Sequence, residues 1–433
     1  MTNERKALWT RRVRSGVYLP LLLLACASCS SSSHEVGLAG SGGTSSASGG
    51  APGGTAVTSL VETNCNPPSL PEIPETCPGG VGDGGKRCIP DRVLQRRAVC
   101  YSGYRTGETP NAMIYPTADQ IKQDLELLTC GGFTFIRLFD ASQHAATVLQ
   151  VIHDNGFDIK VQLGVWISGP KATMDTANQD QISKAVALAT SNTDVVVGVS
   201  VGNETLDTWS SVLTPAADLA GYIQQVRSQV PQPVTTDDMY PPFEFGDGYD
   251  GVLAVAQVVD YLSIHAYAAL DADFGTWDYQ QLSVPAGPAR AQAMMAAAVA
   301  ETETNIAFVS AAMKARGLDL PIVIGEAGWR SRNANPVAVA EKYYSHPVNQ
   351  KMFFDGLTSW VYGATKDSFS PKGAFYFEAF DEPWKTTDDG WGLFDVNRVP
   401  NYVEWTNYPD LKPTTGPTYT DADALYYTPP ASP

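Results

Sequence analysis

The sequence predicts an α/β fold: a (β/α)8 TIM barrel preceded by a disordered N-terminal tether. Three observations carry that expectation. After residue 97 the apolar pattern switches about eight times between short β-rich runs and longer segments with helical spacing, the signature of a parallel sheet. The chain has 433 residues, and α/β barrels run past about 250 residues without a domain boundary. No glycine-rich phosphate turn follows the first strand, where Ser102-Gly103-Tyr104-Arg105 stands instead, so a doubly wound open sheet is the weaker alternative.

The elements follow in order. Residues 98–104 read as strand one, 119–128 as a helix, 133–139 as strand two, 143–154 as a helix and 158–166 as strand three. The rhythm continues with a helix over 179–190, strand four over 195–201 and a helix over 216–230. Strand five, 233–236, is weak, and strand six covers 258–264. A long helix spans 289–315, strand seven 321–324, a helix 350–362 and strand eight 373–377. The barrel is expected over 98–410, with a tail over 411–433.

Ahead of the barrel the chain reads as an address and a tether. Arg5, Lys6, Arg11, Arg12 and Arg14 precede eleven uncharged residues, 15–25, which include four consecutive leucines. This is a secretion signal pattern, too short to span a bilayer. Leu23-Leu24-Ala25-Cys26 resembles the bacterial lipobox, so Cys26 is the expected acylation site, with Cys29 as a second option. The expected location is therefore an exported lipoprotein of the periplasm or cell surface, or a secreted protein, touching membrane only through a lipid anchor. From residue 27 to 58, 25 of 32 residues are Ser, Gly, Ala or Thr, which cannot bury enough apolar surface to offset chain entropy. The stretch 59–97 is rich in Cys, Pro and Gly and yields no function. Of Cys65, Cys77, Cys88, Cys100 and Cys130 some are expected to be bridged, and the odd count leaves one thiol free unless Cys29 joins.

Composition narrows the function. With 43% hydrophobic and 17% charged residues the chain is not mostly disordered. Its net charge of −17 becomes −21 once residues 1–25, carrying five positive charges and one negative, are removed. That surface repels a phosphate backbone, so no nucleic-acid partner is expected. None of the five cysteines forms a CxxC pair and the five histidines are scattered, so no metal is expected.

In a barrel of this kind the chemistry sits at the carboxyl ends of the strands. Val201-Gly202-Asn203-Glu204 ends strand four, and Gly325-Glu326-Ala327-Gly328-Trp329 ends strand seven. A single strand-end glutamate is ordinarily a solvated or salt-bridged loop residue. Two on nearly opposite staves suit acetal cleavage, in which one carboxyl protonates the leaving oxygen and the other meets the oxocarbenium-like carbon.

These two segments resemble the active-site signatures of glycoside hydrolase family 17, the β-1,3-glucanase and glucanosyltransferase family of clan A. The likeness covers most of residues 98–405. Tyr101-Ser102-Gly103-Tyr104-Arg105 resembles the family's first strand, Ile136-Arg137-Leu138-Phe139 its second and Ile264-His265-Ala266-Tyr267 its sixth. Phe375-Tyr376-Phe377-Glu378-Ala379-Phe380-Asp381-Glu382-Pro383-Trp384-Lys385 and Trp391-Gly392-Leu393-Phe394 resemble the eighth strand and its extension. One departure stands out: Gly328-Trp329-Arg330 replaces the Gly-Trp-Pro common after the nucleophile.

The resemblance implies Glu204 as acid/base and Glu326 as nucleophile of a retaining double displacement. Glu204 should keep its proton through poor solvation or the neighbouring carboxylate. Asn203 is expected on the sugar 2-hydroxyl, or else as a turn cap. Arg137 would keep Glu326 ionised, or serve as a structural ion pair. Trp329 is expected as a wall for a sugar ring, against simple packing behind the strand. Tyr101, Tyr104, His265 and Tyr267 are further candidates for substrate contact. Glu378, Asp381 and Lys385 would meet sugar hydroxyls, or one another as a rim salt-bridge cluster. The expected activity is retaining hydrolysis of β-1,3-glucan by a monomer without a cofactor. Glucanosyl transfer or another clan A linkage, β-1,4 or β-1,6, is the alternative, and a non-catalytic glycan-binding surface lipoprotein is the alternative of another class.

Overall fold

The computed structural model describes residues 64–69, 77, 85–245, 251–272, 275–332, 345–363, 369–385 and 390–417. The expected signal segment, Cys26 and the tether lie outside the described residues. Eight β-rich runs become parallel strands: β1 Arg97–Cys100, β2 Phe133–Leu138, β3 Lys160–Val165, β4 Val196–Asn203, β5 Val234–Met239, β6 Leu262–His265, β7 Ile322–Ala327 and β8 Ala374–Tyr376. Each pairs with the next, and β8 returns to β1 through Ala98 opposite Phe375 and Val99 opposite Tyr376, so the sheet closes into the expected barrel.

The described helices are α1 Asp91–Leu94, α2 Ala118–Cys130, α3 Gln143–Asn155, α4 Lys171–Ser191, α5 Ala216–Arg227, α6 Tyr240–Phe245, α7 Val252–Val258, α8 Ala268–Asp271, α9 Pro288–Ala315 and α10 Pro347–Tyr362. Local chemistry sets their ends. Thr117 and Gln120 form a reciprocal capping box that starts α2. Ser142 caps α3, and Gly156 ends it in the left-handed region at φ 66°. Val99, Ile136, Leu138, Val161, Val199 and Ile324 point outward into the helix layer, because side chains alternate along each strand. Inside the barrel the middle layer is polar and fully buried: Arg137, Gln162, Ser200, Asp237 and Ser263.

Three expectations change here. Strand one stops at Cys100 instead of 104, because Gly103 turns the chain at φ 70°, where an added Cβ would lie 2.7 Å from the Tyr101 hydroxyl. The weak strand five is a full strand to Met239, and 252–258, near the expected start of strand six, is the helix α7.

The stretch without a readable role closes the barrel floor. Ile89, Val93 and Leu94 pack inside the amino-terminal end against Ala98, Phe135, Val323 and Phe375. Arg87 donates to the carbonyls of Arg227, Val230 and Gln232, and its backbone N–H to Asp260 Oδ1. Disulfide Cys77–Cys88 closes a loop within this lead-in and Cys65–Cys130 ties it to the end of α2, leaving Cys100, buried inside the barrel, as the free thiol among the described residues. Near the carboxyl end, Glu404 forms a buried ion pair with Arg97 at 2.8 Å, and the Tyr408 hydroxyl donates to the Leu127 carbonyl.

Candidate active site

Two irregularities in strand pairing aim the glutamates. Between β4 and β5, Ser200 lies opposite Thr235 and Asn203 opposite Asp237, three steps against two. Simple alternation would send Asn203 outward with Val201; the extra residue turns it in. Gly202 absorbs the turn at φ 90°, and Glu204 follows in the left-handed region at φ 51°, uncommon for a residue with a Cβ. Between β6 and β7, Ile264 faces Ile324 but His265 faces Glu326, so Gly325 is the extra residue and Glu326 turns inward. A Cβ on Gly325 would come within 2.5 Å of Ser263 Oγ and 2.8 Å of Asp237 Oδ1, which explains the glycine beside the carboxylate.

The two carboxylates converge. A ligand atom from each of Glu204, His265 and Glu326 lies within 4.8 Å of the other two. His265 Nδ1 is 3.0 Å from Glu204 Oε1, and its Nε2 is 3.6 Å from Glu326 Oε1. Arg137 reaches three partners with one guanidinium: Nη1 donates to Glu326 Oε1 at 2.6 Å, Nε to Asp237 Oδ2 at 2.6 Å, and Nη2 to Asn203 Oδ1. Tyr267 donates its hydroxyl to Glu326 Oε2 at 2.6 Å. Below them, Gln162 donates to Asp237 and accepts from the Tyr261 hydroxyl.

Electrostatics divides the pair's surroundings. Burial raises the Glu204 carboxyl above the ordinary glutamate range and the Glu326 charge adds to it, although His265 and Arg137 oppose the rise. Burial disfavours protonated His265, but the Glu326 charge and the Glu204 hydrogen bond outweigh it and raise its pKa. Burial alone would raise Asp237; the Arg137 guanidinium, with His265 and nearby hydroxyls, brings it below the usual carboxylate range instead. The three donor atoms of Glu204, His265 and Glu326 could in principle approach a cation. Arg137 already places a fixed positive charge against Glu326, so the cluster fits proton transfer better than a divalent ion.

Among the expected residues, Asn203, Glu204, His265, Tyr267, Glu326 and Arg137 form this one constellation. Tyr104 lies beyond β1, with its ring 5.4 Å from that of His144 and 6.1 Å from that of Trp384. Lys385 sits between Glu378 at 2.9 Å and Glu382 at 2.6 Å, which is the rim salt-bridge arrangement. Asp381 accepts from Arg332 and from the Gly392 N–H. Two expectations require correction. Trp329 is 0% exposed and its ring lies 5.4 Å from that of Phe353 on α10, so it packs outside the barrel and offers no wall to a sugar. Tyr101 is likewise buried in the outer layer, with its hydroxyl 3.2 Å from Asp124 Oδ2 on α2. Both stand one step out of phase with the inward residues, Cys100 before Tyr101 and the bulge-turned Glu326 before Ala327 and Trp329. The sequence reading missed Asp237, Asp238 and Gln162; acidic residues within an otherwise strand-like 234–239 were the available signal.

Comparison with known proteins gives a family and a fold. The sequence profile described as the BtgE/BtgC glycoside hydrolase domain matches residues 98–395. A probable glucan endo-1,3-beta-glucosidase btgC of Aspergillus fumigatus is 26% identical over 314 residues, covering 65% of this chain and 39% of that protein. This chain thus spans well under half the length of that relative. A glucan 1,3-beta-glucosidase of Arthroderma benhamiae is 25% identical, covering 69% of this chain and 89% of that one. The fold resembles an endo-laminarinase from Formosa, with a TM-score of 0.65 and 23% identity over 76% of this chain and 91% of the other. It also resembles a glycoside hydrolase family 17 beta-1,3-glucanosyltransferase from Rhizomucor miehei, with a TM-score of 0.51 and 22% identity over 71% and 95%.

Proposed function

The chain belongs to the BtgE/BtgC glycoside hydrolase domain family, and from that membership we propose that it cleaves β-1,3-glucan with retention of configuration, through a covalent glycosyl-enzyme. The observation that carries the reading is the close approach of the glutamates, one carboxylate oxygen of each lying within 4.8 Å of one from the other. Retaining enzymes hold the pair about 5–5.5 Å apart, and inverting ones about 6.5–9.5 Å to admit a water.

In the first step Glu326 attacks the anomeric carbon while Glu204 gives its proton to the departing glycosidic oxygen. A bond forms between carbon and carboxylate, and the carbon–oxygen bond breaks. In the second, Glu204 takes a proton from water, whose oxygen displaces Glu326 and restores both carboxyls. Burial suits Glu204 to hold the proton it must donate. Arg137 and Tyr267 each donate to Glu326, fixing its oxygens for attack. Asn203, its Oδ1 accepting from Arg137, is the proposed donor to the sugar 2-hydroxyl. A sugar hydroxyl arriving in place of water would give glucanosyl transfer through the same intermediate. A non-catalytic glycan-binding role would leave the conjunction of Glu204, Glu326, His265, Arg137 and Tyr267 without a purpose.

The signal pattern and the two disulfides favour an exported protein, anchored through Cys26. Among the described residues no helix is long and apolar enough to cross a membrane. Labelling with a radioactive fatty acid, lost in Cys26→Ser, tests the anchor. Product time courses on laminarin, cellulose and pustulan test linkage and transfer together. Glu326→Ala should be inactive and regain activity with azide, whereas Glu204→Ala should still cleave substrates whose leaving group needs no proton. Equal loss in both, without rescue, would overturn the assignment.

A further inference from the structure

Strand β5 carries two adjacent buried aspartates just before its last residue, Met239, and they serve opposite sides of the site. Asp237 faces Arg137. Asp238, 0% exposed, turns toward β4, where its Oδ2 accepts from the N–H groups of Thr205 and Leu206, both at 2.9 Å, and from Thr205 Oγ1 at 3.3 Å. Its Oδ1 accepts from the Met239 N–H at 3.0 Å. The residue just before this pair of amides is Glu204, in its left-handed conformation, whose own N–H donates to the Asp237 carbonyl at 2.9 Å. One carboxylate therefore fastens the two peptide groups that follow the strained glutamate to the neighbouring strand.

We propose that Asp238 is a positioning residue for Glu204: by binding the Thr205 and Leu206 amides it holds the left-handed turn that aims the acid/base carboxyl into the site. The inference rests on the proposed role of Glu204. A left-handed residue with a Cβ persists only where its surroundings over-determine it, and Asp238 supplies that restraint from a different strand. It also places a second acidic group beside Glu204. Burial and then the Glu204 charge push the Asp238 carboxyl up to about 7, against the pull of His265 and the bound amides. The charged or titratable groups that face the two are His265 from β6, Glu326 from β7, Arg137 from β2 and Asp237 on β5. Asp238 and Glu204 thus titrate as a pair, and a charged Asp238 favours the protonated form of Glu204.

The test compares Asp238→Ala and Asp238→Asn with the wild type on a laminari-oligosaccharide and on an aryl laminaribioside whose leaving group needs no proton. A misaimed acid should cost Asp238→Ala about 100-fold in kcat/KM on the oligosaccharide and far less on the aryl substrate. Asp238→Asn keeps an oxygen for the two amides, so its loss should be smaller, and its alkaline limb of kcat/KM should move to lower pH because a neighbouring negative charge is gone. Equal losses on both substrates, or an unmoved limb in Asp238→Asn, would overturn the proposal, and the Asn variant decides if the Ala variant does not fold. If the wild type cleaves neither substrate, the proposed function fails separately, and amide hydrogen exchange then decides for Asp238. Protection of Thr205 and Leu206 must fall in the variant while that of β7 holds; unchanged protection refutes the clamp.

Discussion

Replacing Arg137 by Met keeps most of the side-chain volume and removes the charge on which the site converges. Arg137 is 1% exposed and makes charge-assisted contacts of 2.6 Å to both Asp237 and Glu326. The substitution leaves two buried carboxylates without that counter-charge, and breaking a buried pair from one side costs about 3–5 kcal/mol. The pH dependence follows from Asp237, whose carboxyl is held below the usual range in the wild type. Such a group contributes stability above its unfolded pKa, about 3.9, and that contribution fades as pH falls through the lower folded value. In the variant Asp237 is free to take a proton at higher pH, which relieves the penalty. Urea unfolding should therefore show the full gap at pH 7, narrowing as the pH is lowered into the acid range. Activity should fall as well, because a hydrogen bond to a charged group is worth about 1.5–3 kcal/mol, or about 10- to 150-fold in kcat/KM. Arg137→Lys should recover little, since an ammonium cannot span three partners with a planar fork. A gap under about 1 kcal/mol at pH 7, or one that widens in acid, would refute the reasoning by failing the cost of an orphaned buried charge.

Four further outcomes can be checked. Tyr267→Phe removes the 2.6 Å bond to Glu326 and should lower kcat by about 10-fold or more with a small change in KM; a change confined to KM would place Tyr267 on substrate instead. Trp329→Ala should lower unfolding stability by about 3–5 kcal/mol, as for any buried indole, and leave KM for laminari-oligosaccharides near its wild-type value. The alkaline limb of the wild-type kcat/KM profile should lie above the ordinary glutamate range, because burial holds the Glu204 proton; a limb near 4 to 5, about the free-glutamate value, would contradict that. Cys65→Ser opens a cross-link spanning 65 residues and should destabilise the protein by about 4 kcal/mol on loop-entropy grounds, measured by urea unfolding under non-reducing conditions.

Much of the site was legible in the sequence because its chemistry is local. Glu204 and Glu326 each end an apolar run, and His265 and Tyr267 stand two apart at another strand end, so period-two alternation places both on one face. What escaped depends on phase and partners, which no single segment contains. Tyr101 and Trp329 occupy strand ends as attractive as those of Tyr267, yet point outward. The bulges that decide which residues turn inward appear only when β4 is laid against β5 and β6 against β7. Strand β5 looked weak because Thr235, Thr236, Asp237 and Asp238 lack an apolar face. Inside this barrel the inward face of the middle layer is polar, so a strand that serves the site need not look hydrophobic.

Cys100 lies directly beneath this machinery. It is 1% exposed, with its sulfur 3.5 Å from the Gly325 carbonyl and 3.7 Å from Arg137 Nη1, and burial pushes its thiol well above the ordinary range. While the barrel is shut, an alkylating reagent finds neither access nor a thiolate. The speed at which iodoacetamide consumes Cys100 is thus an internal clock for transient breathing of the strands around Glu326. A sugar covalently trapped on Glu326 would slow that clock, and lengthening of the labelling half-life would register occupancy without any chromogenic substrate.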